Sequence, residues 1–299
     1  MKSNFDILYE KYRKMTEEII SGLYPKDYLP TGLPPVLDES MAYSLFSGGK
    51  RLRPILVLST YYSLGGDGKE IEYLACAAEM IHTYSLIHDD LPCMDDDELR
   101  RGKPTNHIVF GYPMAVLAGD GLLNLAYETM LEGMFVAKDK DKYLSAAYTL
   151  AKAAGMRGMV GGQAADISWE GSEPDKEKLS IIHRNKTGAL IRASILAGCL
   201  CICDDKETVD SLFRYGEYIG EMFQITDDIL DVTSDAETLG KNVMKDAEMN
   251  KMTYPYVYGL ENSKKRVEEL AKSAEEAVCG IKNNEFFISL IEYLKNRTK

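Results

Sequence analysis

Apolar residues recur at three- and four-residue intervals in segment after segment of this chain, whereas the strict alternation of strands is weak throughout, so the pattern predicts helices. The stretch ending at His88 is representative: Leu74, Ala77, Ala78, Ile81 and Ser85 mark one face, with Glu72 and Glu79 elsewhere on the wheel. Clusters of Pro and Gly interrupt the pattern at residues 30–35, 65–68, 102–113, 171–174 and 234–240. Segments of roughly 15 to 30 residues lie between them, lengths that suit a large bundle. No linker-like shift in composition divides the chain, and the motifs described below come from both halves. The expectation is therefore an all-α fold, one helical bundle over residues 1–299.

Composition narrows the possibilities. A chain of 299 residues that is 45% apolar and 27% charged can bury a large core, which excludes disorder and collagen-like repeats. The longest apolar stretch, residues 188–203, is broken by Arg192 and falls short of the roughly 18 uncharged residues a membrane span needs. Residues 1–15 alternate charge with Phe5, Ile7 and Leu8 and carry no signal-peptide core, so a cytoplasmic location is expected. Six cysteines are too sparse for a disulfide scaffold, and Cys199, Cys201 and Cys203 at alternate positions read as packing rather than metal ligands. Trp169 and its acidic neighbours read as a surface loop. With 47 acidic against 35 basic residues the formal net charge is −12, which argues against nucleic acid as a partner.

Two acidic clusters carry the chemistry. Six carboxylates fall within residues 89–98, namely Asp89, Asp90, Asp95, Asp96, Asp97 and Glu98, and a second group comprises Asp227, Asp228 and Asp231. Both are embedded among apolar residues such as Leu86, Ile87, Phe223 and Ile229, unlike the alternating charges of a solvated helix face. Adjacent buried carboxylates repel one another unless cations offset them. Asp227 and Asp231, four apart, share a helix face, with Asp228 about 100° around. Asp89 and Asp95 would lie about 240° apart on a continuous helix, but Pro92 ends or bends it first. Oxygen donors without Cys or His at metal-ligand spacing favour Mg²⁺ shared with phosphate oxygens. An EF-hand fails, because Leu99 stands where its third ligand would be.

Cations that match phosphates accompany these clusters. Lys50, Arg51 and Arg53 follow Gly48 and Gly49 without forming a Walker loop, and Arg100 and Arg101 directly follow the first acidic cluster. Further cations stand at Arg184 and Lys186, at Lys241 after Gly240, and at Lys251. The residues by themselves describe an enzyme that binds a diphosphate through Mg²⁺ and basic groups beside an apolar cavity, which suggests a hydrocarbon tail.

At these residues the sequence resembles the trans-isoprenyl diphosphate synthases, above all the bacterial farnesyl diphosphate synthases. The likeness runs in order through GGKRLRP from Gly48, IHTYSLIHDDLPCMDDDELRRGKPTNH from Ile81, GGQAAD from Gly161, HRNKTGAL from His183, FQITDDILD from Phe223, LGK from Leu239 and KMTYP from Lys251. It implies the isoprenoid synthase fold around a deep apolar cavity, a homodimer, and three Mg²⁺ ions per site, with Mn²⁺ as an alternative. By that resemblance Asp89, Asp95, Asp227 and Asp231 serve the metals, and Asp90 and Asp228 complete the motifs. Arg100, Lys186, Thr187, Gln224, Lys241 and Lys251 contact the allylic diphosphate, and Lys50, Arg53, His82 and Arg101 hold isopentenyl diphosphate. The allylic partner is dimethylallyl or geranyl diphosphate.

The family places the floor of the chain pocket four and five residues before the first Asp, here Ser85 and Tyr84. A bulky Tyr84, about 7.5 Å along the helix from Asp89, favours a C15 farnesyl product, with C20 geranylgeranyl as the alternative. Two further classes differ in sequence. A class I terpene cyclase would carry an Asn/Ser/Glu metal motif in place of residues 227–231, and a non-catalytic synthase subunit would have lost one Asp cluster.

Overall fold

The structure is a computed structural model that describes residues 4–24, 33–233 and 252–297. In chain order its helices are α1 (Asn4–Leu23), α2 (Val36–Leu45), α3 (Leu52–Ser63), α4 (Glu70–Asp89), α5 (Asn106–Phe110), α6 (Tyr112–Val136), α7 (Lys140–Ala154), α8 (Met159–Trp169) and α9 (Lys176–Ile182). A single π-helical turn (His183–Thr187) then leads into α10 (Gly188–Leu200), α11 (Lys206–Thr233), α12 (Tyr254–Tyr258), α13 (Leu260–Val278) and α14 (Glu285–Asn296). Among the described residues the only strands are β1 (Leu99–Arg100) and β2 (Lys103–Pro104), a two-residue antiparallel ladder. The all-α expectation holds.

The punctuation follows local chemistry. Asp139 accepts from the amides of Asp141 and Lys142, and Asp175 from those of Glu177 and Lys178, so α7 and α9 each begin on a carboxylate cap. Gly65 and Gly68 separate α3 from α4, and Gly171 to Pro174 separate α8 from α9, as their turn chemistry requires. Trp169 differs from expectation. It closes α8 rather than sitting in a loop, with the chain leaving the helix at Glu170.

Packing decides which helices are amphipathic. Surface helices α1, α13 and α14 bury one stripe, whereas α10 is buried almost entirely, including Leu190, Ile191, Ile195 and Cys199. It packs against α3, α7 and α11, and α4 packs against α6 and α3. No helix among the described residues is long and apolar enough to cross a membrane. Off the apolar stripe of α4, Glu72 is half-buried. Glu79 is fully buried, because α4 is enclosed on several sides at once and its carboxylate meets Arg51. Cys199 and Cys201 are buried as packing residues, and all six cysteines are free.

Candidate active site

A cavity of about 690 Å³ opens where the ends of α3, α4, α8, the π turn and α11 meet. Its apolar part is lined by Tyr84, Met159, Val160, Ile167 and Phe223, and its mouth by Asp89, Asp227 and a ring of cations. Each functional side chain owes its place to an identifiable local feature.

Asp89 is the last residue of α4, and Asp90 follows it as the C-cap. The chain then folds back through Pro92, so that the amide of Asp95 donates to the carbonyl of Asp89 at 2.8 Å. The two residues six apart in sequence thus meet through their backbones, as the break at Pro92 predicts. Asp90 turns away from the cavity and takes Arg100, whose Nε donates to Oδ1 at 2.6 Å. Asp95 lines a small adjoining recess with Gln163 and Asp166.

Arg100 and Arg101 are presented by a hairpin that helical periodicity did not reveal. Arg101 and Gly102 both adopt positive φ, 55° and 74°, which makes the tight reversal joining β1 to β2. Arg101 then reaches the Gly48 carbonyl and the Ser47 hydroxyl. Gly49, at φ 118°, lies against that guanidinium, where a Cβ would fall 2.4 Å from Cζ. A side chain there would expel Arg101.

The π turn sets Lys186 and Thr187 on the cavity wall. Close approach of α8 makes this possible, since a Cβ on Gly162 would stand 2.1 Å from the Lys186 amide nitrogen. Lys186 Nζ donates to Asp166 Oδ2 at 2.7 Å, and the Thr187 hydroxyl donates to Gln224 Oε1 at 2.7 Å. Gln224 Nε2 in turn donates to Asp228 Oδ1 at 2.8 Å. Asp228 is buried behind the cavity, where the Tyr254 amide donates to its Oδ2 at 2.7 Å and His183 Nε2 lies 3.3 Å away. It orients the wall, while Asp227, about 100° around α11, faces the cavity. Asp231 is exposed near the end of α11.

The remaining predicted residues fall as follows. Lys50, Arg53 and His82 line the cavity beside Arg101, and Tyr84 and Ser85 line it from α4. Lys241 and Lys251 lie outside the described residues. Three partners escaped sequence reasoning. Asp166 of the GGQAAD segment anchors Lys186. Glu79 stands behind the cations. Arg297, the residue after α14, is almost fully buried, with Nη1 2.6 Å from Asp227 Oδ1 and its guanidinium 5.4 Å over the Phe223 ring, which Lys50 also approaches at 5.5 Å. An apolar helical segment ending in basic residues was its only signal in the sequence.

The electrostatics suit a di-anionic ligand. Burial lowers the Arg53 guanidinium to about 10, and burial among Arg53, Arg101 and Arg100 holds His82 well below its ordinary value, so its ring is neutral. Burial also raises Asp89 to about 6, with Asp95 and Asp90 adding repulsion against the pull of Lys186 and Arg100, and it raises Asp227. Desolvated carboxylates that repel one another fit a hard divalent cation, with Asp89, Asp95 and Asp227 as the donors. Among the described residues no three His, Cys, Asp or Glu side chains form a ready-made metal cluster. Ions held here would complete their shells with phosphate oxygens and water, the habit of Mg²⁺.

A raised carboxylate pKa has a definite sign. Protonated Asp89 favours the folded state, a contribution fully present below about pH 4 and lost as pH rises through about 6. In EDTA, the wild type should therefore lose Tm relative to Asp89→Asn between about pH 4 and pH 6.5, with the difference level above that. Paired thermal melts would show a flat difference if Asp89 were an ordinary solvated acid.

Fold and site together define a class: an all-α bundle with an apolar cavity whose mouth brings residues of two acidic motifs beside clustered cations. Similarity with known proteins names it. The polyprenyl synthetase family model matches residues 34–284, and the chain belongs to that family, the trans-isoprenyl diphosphate synthases. It is 44% identical over 301 residues to geranylgeranyl pyrophosphate synthase 12, chloroplastic, of Arabidopsis thaliana, covering 98% of this chain and 83% of that protein. It is 45% identical over 249 residues to the farnesyl diphosphate synthase of Bacillus subtilis, covering 83% and 84%. The crystal structure of an FPP/GFPP synthase from Zymomonas mobilis superposes with a TM-score of 0.86 at 35% identity, over 97% of this chain and 99% of that one. The protein is a prenyltransferase.

Proposed function

We propose that this prenyltransferase condenses isopentenyl diphosphate with dimethylallyl and then geranyl diphosphate, in a Mg²⁺-dependent reaction, and stops at C15 farnesyl diphosphate. The observation that carries the chain-length reading is Tyr84, a buried residue that lines the apolar cavity about 1.4 helical turns from Asp89. Similarity to plant geranylgeranyl synthases supports a C20 product as the second reading.

The residues divide the work. Arg100 and Lys186 bind the allylic diphosphate, and bound Mg²⁺ would supply further charge stabilisation for the departing group at Asp89, Asp95 and Asp227. The allylic C–O bond breaks. Lys50, Arg53, neutral His82 and Arg101 hold isopentenyl diphosphate so that its double bond attacks the allylic carbon. A new C–C bond forms, and a proton leaves for the released diphosphate. Thr187 and Gln224, locked by their mutual hydrogen bond and by Asp228, offer fixed dipoles to the allylic cation. The apolar wall excludes the water that would quench it.

The proposal includes a homodimer. Leu117, Leu131 and Phe135 of α6 and Leu144 and Tyr148 of α7 are large, exposed and on helices that touch, which supports a covered face there. Incubation with dimethylallyl and isopentenyl diphosphates, followed by chromatography of the dephosphorylated products, tests the function. Farnesol is expected with Mg²⁺ and no product with EDTA; geranylgeraniol as the main product would establish the C20 reading instead.

A further inference from the structure

Arg51 stands between two cations assigned to isopentenyl diphosphate, yet its own side chain is wholly buried. It precedes α3 with φ 49°, a left-handed conformation that bulky residues seldom adopt. Its Nε and Nη2 donate to the Glu17 carboxylate at 2.9 and 3.2 Å, its Nη1 to Glu79 Oε1 at 2.8 Å, and its Nη2 to the Leu45 carbonyl at 2.8 Å. One guanidinium therefore ties α1, α2 and α4 together at the start of α3. The preceding residue is fixed as well, because the Tyr9 hydroxyl donates to the Lys50 carbonyl.

Stability alone does not account for this arrangement. The cost of desolvating a buried ion pair roughly cancels its attraction, and an apolar pair of similar volume is often as stable. What the charges do supply is position and field. Lys50 and Arg53, flanking Arg51, both line the cavity. The Glu79 charge acts on Arg51, Arg53 and Arg101 together. Glu79 Oε2 and Arg53 Nε are both buried without a hydrogen-bond partner, so the carboxylate acts on Arg53 through space.

We propose that Arg51 and Glu79 form a buried positioning pair that holds Lys50 and Arg53 in place for isopentenyl diphosphate, with Glu79 as the counter-charge that keeps the crowded cations together before substrate arrives. This deepens the diphosphate assignment above and rests on it.

Steady-state kinetics and melting temperatures of Glu79→Gln, of the double variant Arg51→Met/Glu79→Leu, and of Arg53→Gln test it. The first two should raise KM for isopentenyl diphosphate by about 20-fold while KM for the allylic substrate stays within about twofold. The double variant should melt within a few degrees of wild type. A rise in both KM values together with a lower Tm would mean a merely structural role and overturn the proposal. An unchanged isopentenyl KM in the double variant, with Arg53→Gln raising it, would overturn the pair but leave the diphosphate assignment standing. If Arg53→Gln also left it unchanged, both would fall. Should the double variant not fold, the isosteric Glu79→Gln decides alone, and an unchanged isopentenyl KM overturns the pair.

Discussion

Replacing Asp89 with asparagine should lower kcat by about 10³-fold or more while leaving the protein folded. The substitution keeps the shape of the side chain at the end of α4 and removes only its charge, at the point where the cavity mouth meets Lys186 and Arg100. A neutral amide is a poor ligand for a hard cation and cannot share Mg²⁺ with a departing diphosphate. The same charge is a burden to the metal-free fold, since burial and the neighbouring Asp95 and Asp90 make its ionisation unfavourable. Activity and stability should therefore move in opposite directions: in EDTA at pH 7 the variant melts above wild type, while with Mg²⁺ it turns over far more slowly. Rapid-quench rates beside melting curves measure both. A loss of less than tenfold in kcat would remove Asp89 from the proposed metal set.

Tyr84→Ala should lengthen the product beyond C15. Tyr84 is only 6% exposed and its ring packs edge-on against His88 at 5.8 Å, so truncation opens space at the apolar end of the cavity. His88 is held in turn by the Val116 carbonyl at 3.1 Å and is poorly placed to collapse into the gap. The cost in stability is about 3 kcal/mol, typical of an aromatic-to-alanine change in a packed site, and leaves a large protein folded at moderate temperature. Tyr84→Phe keeps the ring and should keep C15. Chromatography of dephosphorylated products separates these outcomes, and an unchanged C15 product from Tyr84→Ala would show that another wall sets the length.

Much of this site was legible in the sequence because it is built from local runs. Asp227 and Asp231 share a helix face at any place an α-helix spans them, Pro92 forces the chain to turn back towards Asp89, and the glycines ahead of Lys50 and after Arg101 announce loops. Other features were hidden because they join distant segments. Glu79 looked like a polar position on α4 and is instead the buried partner of Arg51, 28 residues earlier. Nothing near Lys186 in sequence points to Asp166, 20 residues away on α8. Arg297 reaches Asp227 from the far end of the described chain. The hairpin that aims Arg100 and Arg101 is too short for strand periodicity to register.

The sequence by itself determined the helices, the two carboxylate motifs and the kinds of cation that accompany them, since spacing, turn residues and local repulsion act over a few residues. Only the tertiary structure decided which charges face the cavity and which are neutralised behind it. That choice depends on burial and on partners brought together by packing: Asp227 faces inward with Asp89, while Asp228, one residue on, is spent on Gln224, His183 and Tyr254. The net charge of −12 could not show this, because the field a substrate meets is set by the few groups left uncovered at the cavity mouth.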